Sequence, residues 1–301
     1  MWRVGEGSAM TRYRTIAMAF GLVVAFVLAA TPTATANHVQ CGDVITEDTK
    51  LDSDLDCSQV VNRPADCRGL ALVGRDRPIT LNLGGYRITG PGRDACYPYL
   101  PVGIAVEAPG ATVQNGTIER FDMGIMTGEE GAEEFRNLTL RDHQEAVYGS
   151  ARRIISNRFE GNWYGLNLYL LEGPGTVTIS RNVMTGTLGT GISISSPEDV
   201  LLDRNRLSDS GGYGIHLRSW TYWVPSHYVT DNGNYVVSRN RTDHNGRDGI
   251  YVEVPSTTIT RNFASFNGDL GIEAVAGVTD GGKNKARGNG NPAQCVGVSC
   301  R

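Results

Sequence analysis

The chain has 301 residues, with 28 basic and 32 acidic side chains, a net charge of −4, 40% hydrophobic residues and 38 glycines. A mildly acidic balance spread along the whole chain argues against nucleic acid as a partner. Glycines without a three-residue period exclude a collagen-like rod.

Residues 1–36 read as a secretory signal: Arg12 and Arg14 precede the apolar run Ile16 to Ala30, and Ala34-Thr35-Ala36 is a small-residue cleavage signature. The run is short and Ala-rich for a membrane span; a retained anchor is the alternative. Met10, followed by Thr-Arg-Tyr-Arg, offers a second start. The expected mature chain begins near Asn37 and is secreted, with no membrane contact after processing. It carries 25 basic against 31 acidic residues, a balance of −6.

All six cysteines lie in this mature part, and none falls between Cys96 and Cys295. An even count in an exported chain favours disulfides over metal ligation. Six cysteines allow fifteen pairings. The favoured set is Cys41–Cys57, Cys67–Cys96 and Cys295–Cys300, which staples the two ends. No Cys-x-x-Cys or Cys/His cluster marks a metal site, and no cofactor is expected, with calcium left open but without a supporting motif. Asp52-Ser-Asp-Leu-Asp56 resembles a calcium loop only in composition, lacking its Gly and terminal Glu.

Residues 37–68 are out of phase with the rest of the chain and read as an N-terminal cap, with 291–301 as the C-terminal one. Between them, over 69–290, one phrase recurs. It reads Val177-Thr-Ile-Ser-Arg-Asn182, Val200-Leu-Leu-Asp-Arg-Asn205, Tyr235-Val-Val-Ser-Arg-Asn240 and Thr257-Thr-Ile-Thr-Arg-Asn262, with a degraded copy ending at Asn284. After each of the first four Asn comes Gly and an alternating strand: Gly191-Ile-Ser-Ile, Gly214-Ile-His-Leu, Gly249-Ile-Tyr-Val and Gly271-Ile-Glu-Ala. A period near 22 residues holding two short alternating strands predicts a β-solenoid. Weaker copies begin at Gly69, Gly103, Gly124, Ala146 and Gly165, giving nine coils. Gly at each strand start is expected to permit a tight corner, and the recurrent Asn suits a ladder in which amides donate and accept between coils. The glycosylation triplets at Asn115, Asn137 and Asn240 are by-products of this repeat. His143 reads as a surface residue near a turn.

The Val-Thr-Ile-x-x-Asn…Gly-Ile pattern resembles the right-handed parallel β-helix repeat of pectate lyases, polygalacturonases and related carbohydrate-active proteins. The head, Cys41 to Gly90, and the tail, Asn284 to Cys300, are similar to those of secreted bacterial members of unsettled function. The resemblance implies an all-β, single-stranded right-handed parallel β-helix whose Gly-Ile strands form a polysaccharide-binding face. The chain lacks polygalacturonase-like Asn-Thr-Asp, Asp-Asp and His-Gly motifs and an epimerase-like Asp-Pro-His.

Alternation then predicts the outward side chains. Two residues past Ala146 and each later Gly these are Tyr148, Asn167, Ser193, His216, Tyr251 and Glu273; four past, Tyr169, Ser195, Arg218 and Glu253. Reactive types gather at His216, Arg218, Asp248, Tyr251, Glu253 and Glu273. A β-eliminating lyase needs a base, Tyr251 or His216, and a cation, Arg218. A hydrolase needs two carboxylates, for which Asp248, Glu253 and Glu273 are candidates. Alternatively, Arg218 and Glu253 form an exposed cross-strand ion pair.

The long interval from Asn205 to Asn240 carries an aromatic insertion, Ser219 to Tyr228, with Trp220, Tyr222 and Trp223. It either overhangs the patch and stacks on sugar rings, with Asn167 and Tyr169 extending the platform, or folds down onto a side of the solenoid. Trp163 and Tyr164 lengthen that platform, or Trp163 packs in the core. The expected partner is an acidic polysaccharide bound by a monomer, whether cleaved or merely held; a purely structural rod is the remaining class.

Overall fold

The computed structural model describes residues 38–59, 67–74, 77–96, 99–128, 130–169, 175–219 and 233–301, together with the backbone of 221–224 and 227–230. The expected signal and Trp220 lie outside them. Everything described belongs to the compact unit His38–Arg301.

Alternating apolar residues build the coils. Ile104, Ile125, Val147, Leu166, Ile192, Ile215, Ile250 and Ile272 stand in one continuous parallel register, and each is fully buried. A second inward row, Ile154, Ile179, Leu202, Val237 and Ile259, lines another sheet. A third runs through Phe159, Met184, Leu207, Thr242, Ala264 and Ala286, tapering toward the C-terminus. Three parallel sheets thus enclose one core, and among the described residues there is no helix. Fully burying one such aliphatic side chain contributes about 1.5–3 kcal/mol, so a stacked row outweighs any single loop contact.

The Gly-Ile sheet holds eleven strands, from Asp43–Ile45 to Cys295–Val296. The ladder therefore runs one strand beyond each end of the nine coils expected, and at about 4.8 Å per strand it is about 50 Å long. Disulfides close both ends as expected: Cys41–Cys57, Cys67–Cys96 and Cys295–Cys300, with Cα separations of 5.6, 6.3 and 6.1 Å.

The glycines serve a different purpose from the one expected. Gly214 has an ordinary backbone, but a Cβ there would lie 2.6 Å from the Gly249 carbonyl oxygen and 2.9 Å from Asn245 Nδ2. Close approach of coils selects Gly at this corner. The left-handed conformation falls instead on the residue before each ladder Asn, at Arg181, Arg204, Arg239 and Arg261, with φ of 55–59°.

Behind those arginines runs the Asn ladder. Asn182 donates its backbone N–H and its Nδ2 to Asn205 Oδ1, both at 3.0 Å, while Asn205 Nδ2 donates to the Ile179 carbonyl at 2.8 Å. The same pattern joins Asn157, Asn182, Asn205, Asn240, Asn262 and Asn284. A second ladder at the next corner links Asn245, Asn267 and Asn289. His143 occupies that corner too. It is fully buried, not on the surface: Nε2 lies 3.0 Å from the Ile118 carbonyl, and its backbone N–H donates to Asn162 Oδ1.

Candidate functional site

Strand alternation carries a row of side chains onto the solvent side of the Gly-Ile sheet. In register they are Met126, Tyr148, Asn167, Ser193, His216, Tyr251, Glu273 and Val296. Of the expected outward residues, Tyr148, Asn167, Tyr169, His216, Arg218, Tyr251, Glu253 and Glu273 are partly exposed. Ser193 and Ser195 are nearly buried between larger neighbours, at 9% and 8% exposure.

His216 is the best-held member. Its Nε2 lies 3.0 Å from Glu253 Oε1. Its ring stacks on Tyr251 at 5.0 Å and meets Tyr213 at 4.7 Å, and Tyr213 stacks on Tyr251 at 5.2 Å. Arg247 covers the cluster, donating to the Tyr213 hydroxyl at 3.2 Å. Burial under these rings pushes the imidazole pKa below the ordinary histidine value, and Glu253 only partly offsets that. A neutral imidazole beside a carboxylate donates through Nε2, which leaves the Nδ1 lone pair as its basic site.

The carboxylates divide into two roles. Glu253 is tied to His216 rather than to Arg218, so the alternative of an Arg218–Glu253 cross-strand ion pair gives way to a His–Glu pair. Arg218 Nε is buried and has no hydrogen-bond partner among the described residues. Asp248, only 3% exposed, accepts the Leu270 N–H at 2.8 Å. Burial raises its pKa to about 6; Glu273, in hydrogen-bonding range, and the charge of Asp269 push the same way. Asp248 is thus a sealed carboxyl beside the exposed row. Burial and the flanking Glu253 and Glu273 raise the Tyr251 pKa, which leaves less of it as phenolate at neutral pH.

Toward the N-terminal end of the same face, Tyr148 and Tyr169 lie 4.8 Å apart, and Asn167 Nδ2 donates to Glu145 at 3.1 Å. Trp163 is 47% exposed, so it is not a core residue. The aromatic insertion folds as an antiparallel hairpin, Thr221–Val224 against His227–Thr230. The side chains of Tyr222 and Trp223 lie outside the described residues.

Tyr213 and Arg247 were not anticipated from sequence. Counting forward from each Gly misses them, because Tyr213 immediately precedes Gly214 and Arg247 lies two residues before Gly249. From those positions Tyr213 reaches the rings of His216 and Tyr251, and Arg247 reaches Tyr213.

A family model described as "Right handed beta helix region" matches residues 102–227 and 146–299. No curated protein matches the sequence. Among solved structures, the crystal structure of pectate lyase Pel9A is similar at 12% identity and a TM-score of 0.39, covering 87% of this chain and 83% of that one. With the family matches running from residue 102 to residue 299, over a right-handed parallel solenoid, the chain belongs to the right-handed β-helix family.

Proposed function

We propose that this protein is a secreted, monomeric β-helix that engages acidic polysaccharide across the Gly-Ile face and cleaves it by β-elimination at His216. The observation that carries this reading is one arrangement: a neutral imidazole held by Glu253 and packed under Tyr251 and Tyr213, beside an Arg218 with donor capacity to spare. His216 Nδ1 would take the proton from the ring carbon next to the uronate carboxylate. The electrons left on that carbon form a double bond as the neighbouring carbon–oxygen bond breaks. Arg218 would pair with the carboxylate as its charge grows. Asp248, whose pKa burial raises to about 6, would return a proton to the leaving oxygen.

The test is a panel of acidic polysaccharides followed at the absorbance of the unsaturated product, with and without calcium. His216→Ala is expected to lower turnover by about 10²–10⁴-fold, the usual weight of one general base. Absence of turnover on every polymer, or an undiminished rate in His216→Ala, would sink the eliminating reading. The second reading is glycan binding without cleavage. It is favoured by the Tyr148–Tyr169 pair on the same face, whose rings suit stacking on sugar C–H faces.

A further inference from the structure

At the corner between the second and third sheets, the left-handed residue changes identity along the rod. In the early coils it is Asn115, Asn137 and Ser156; from there it is Arg181, Arg204, Arg239, Arg261 and Lys283, all with φ of 52–62°. Asn is suited to that conformation and Arg and Lys are not. Backbone N–H groups of Arg181, Arg204, Arg239 and Arg261 each bond the next coil at 3.0–3.2 Å, so the five cations stack at the strand spacing. Like charges placed opposite one another repel. The sequence thus tolerates two penalties at one position in five successive coils, and outside the Asp203 pairs of Arg204 and Arg239 no ion pair among the described residues accounts for a cation there.

The adjoining strand row adds Arg158, Arg206, Arg241 and Lys285, with Val183 and Phe263 between them. All of these cations are exposed. Local acids neutralise only some: Glu160 pairs with Arg158, Asp203 with Arg204 and Arg239, and Asp243 with Arg241. Asp280 is engaged with the backbone N–H groups of Gly282 and Ser299. Arg181, Arg206, Arg261, Lys283, Lys285 and Arg287 make no ion pair among the described residues. Phe263, flanked at 5.3 Å by Arg241 and Arg287, and Phe266, 51% exposed and stacked on His244, place apolar rings beside the charges.

We propose that this basic corner is a second binding surface, for a linear anionic polysaccharide lying parallel to the solenoid axis. One cation per coil, at about 4.8 Å, matches a polymer carrying one charge per sugar ring. The aromatic rings supply faces for those sugars. Phosphates of a single-stranded nucleic acid are spaced more widely, and three disulfides favour an oxidising compartment, where polysaccharide is the available polyanion. The surface is separate from the His216 face and does not depend on its chemistry.

The test uses heparin and polygalacturonic acid as probes, with dextran, oligo-dT and anionic phospholipid vesicles as comparators. All are measured in a His216→Ala/Arg218→Ala background so that the other face contributes little. Arg181→Asn, Arg261→Asn and Lys283→Asn together install the residue that the early coils carry, and they leave the Asp203 pairs intact. The expected result is at least a tenfold loss of affinity for both anionic glycans. The slope of log K against log salt should become shallower by about 2, with the melting temperature held or raised. Unchanged glycan affinity in the triple variant would overturn the proposal, as would tighter binding to oligo-dT or vesicles than to either glycan.

Discussion

His143 sits where later coils carry Asn, and its imidazole is sealed from water with both ring nitrogens at backbone groups. Desolvation lowers its pKa from 6.5 to about 4. The folded pKa lies below the unfolded one, so as the pH falls from 6.5 the unfolded chain takes up the proton first and stability declines. Between pH 6.5 and 4 this one group removes about 3 kcal/mol. His143→Asn, which keeps the corner's ladder chemistry, is expected to abolish that part of the acid sensitivity; urea unfolding at a series of pH values measures it. An acid limb of equal depth in the variant would show that His143 is not its source. The sequence hid this residue because His in Arg141-Asp-His143-Gln reads as polar, and only the second corner's register reveals it as an interior position. His216 titrates in the opposite setting, partly exposed at a face, and its lowered pKa keeps the imidazole neutral and able to accept a proton at neutral pH.

At the level of the strand and its turn, the Asn ladder supplies what an open corner lacks. Each buried Oδ1 accepts the N–H of the previous coil, and each Nδ2 satisfies a carbonyl that strand pairing leaves free. Asn205→Ala would orphan the Asn182 N–H and the Ile179 carbonyl in a dry interior. At about 1–3 kcal/mol for each buried group left unbonded, the expected loss is about 3–5 kcal/mol in chemical denaturation. A loss below about 1 kcal/mol would mean that water replaces the amide. This ladder is legible in the sequence, since an identical residue recurring once per coil must stack on its own copies. The second ladder, Asn245 to Asn289, is as regular but shorter, and it is harder to see because it lies within the connection leading to the next Gly. For the glycines the position is legible and the reason is not, because a sequence cannot tell a left-handed residue from one pressed against the next coil.

Across the whole molecule, the repeat determines architecture and leaves chemistry open. Coil stacking follows from the period, and the position of the disulfides at the two ends from cysteine placement, since a solenoid contacts only its neighbours and needs closure at its ends. Which side chains meet is harder to read. His216 and Glu253 are 37 residues apart because the hairpin interrupts the period, and the pairing of Glu253 with His216 in place of Arg218 depends on side-chain conformation. The functional reading turns on saccharide binding directly over His216. An NMR titration of the five histidine side chains with an oligogalacturonide, assigned by single substitutions, tests that point. The His216 resonance is expected to move in proportion to saturation while the buried His143 stays fixed. Saturable binding that leaves His216 unmoved would refute it.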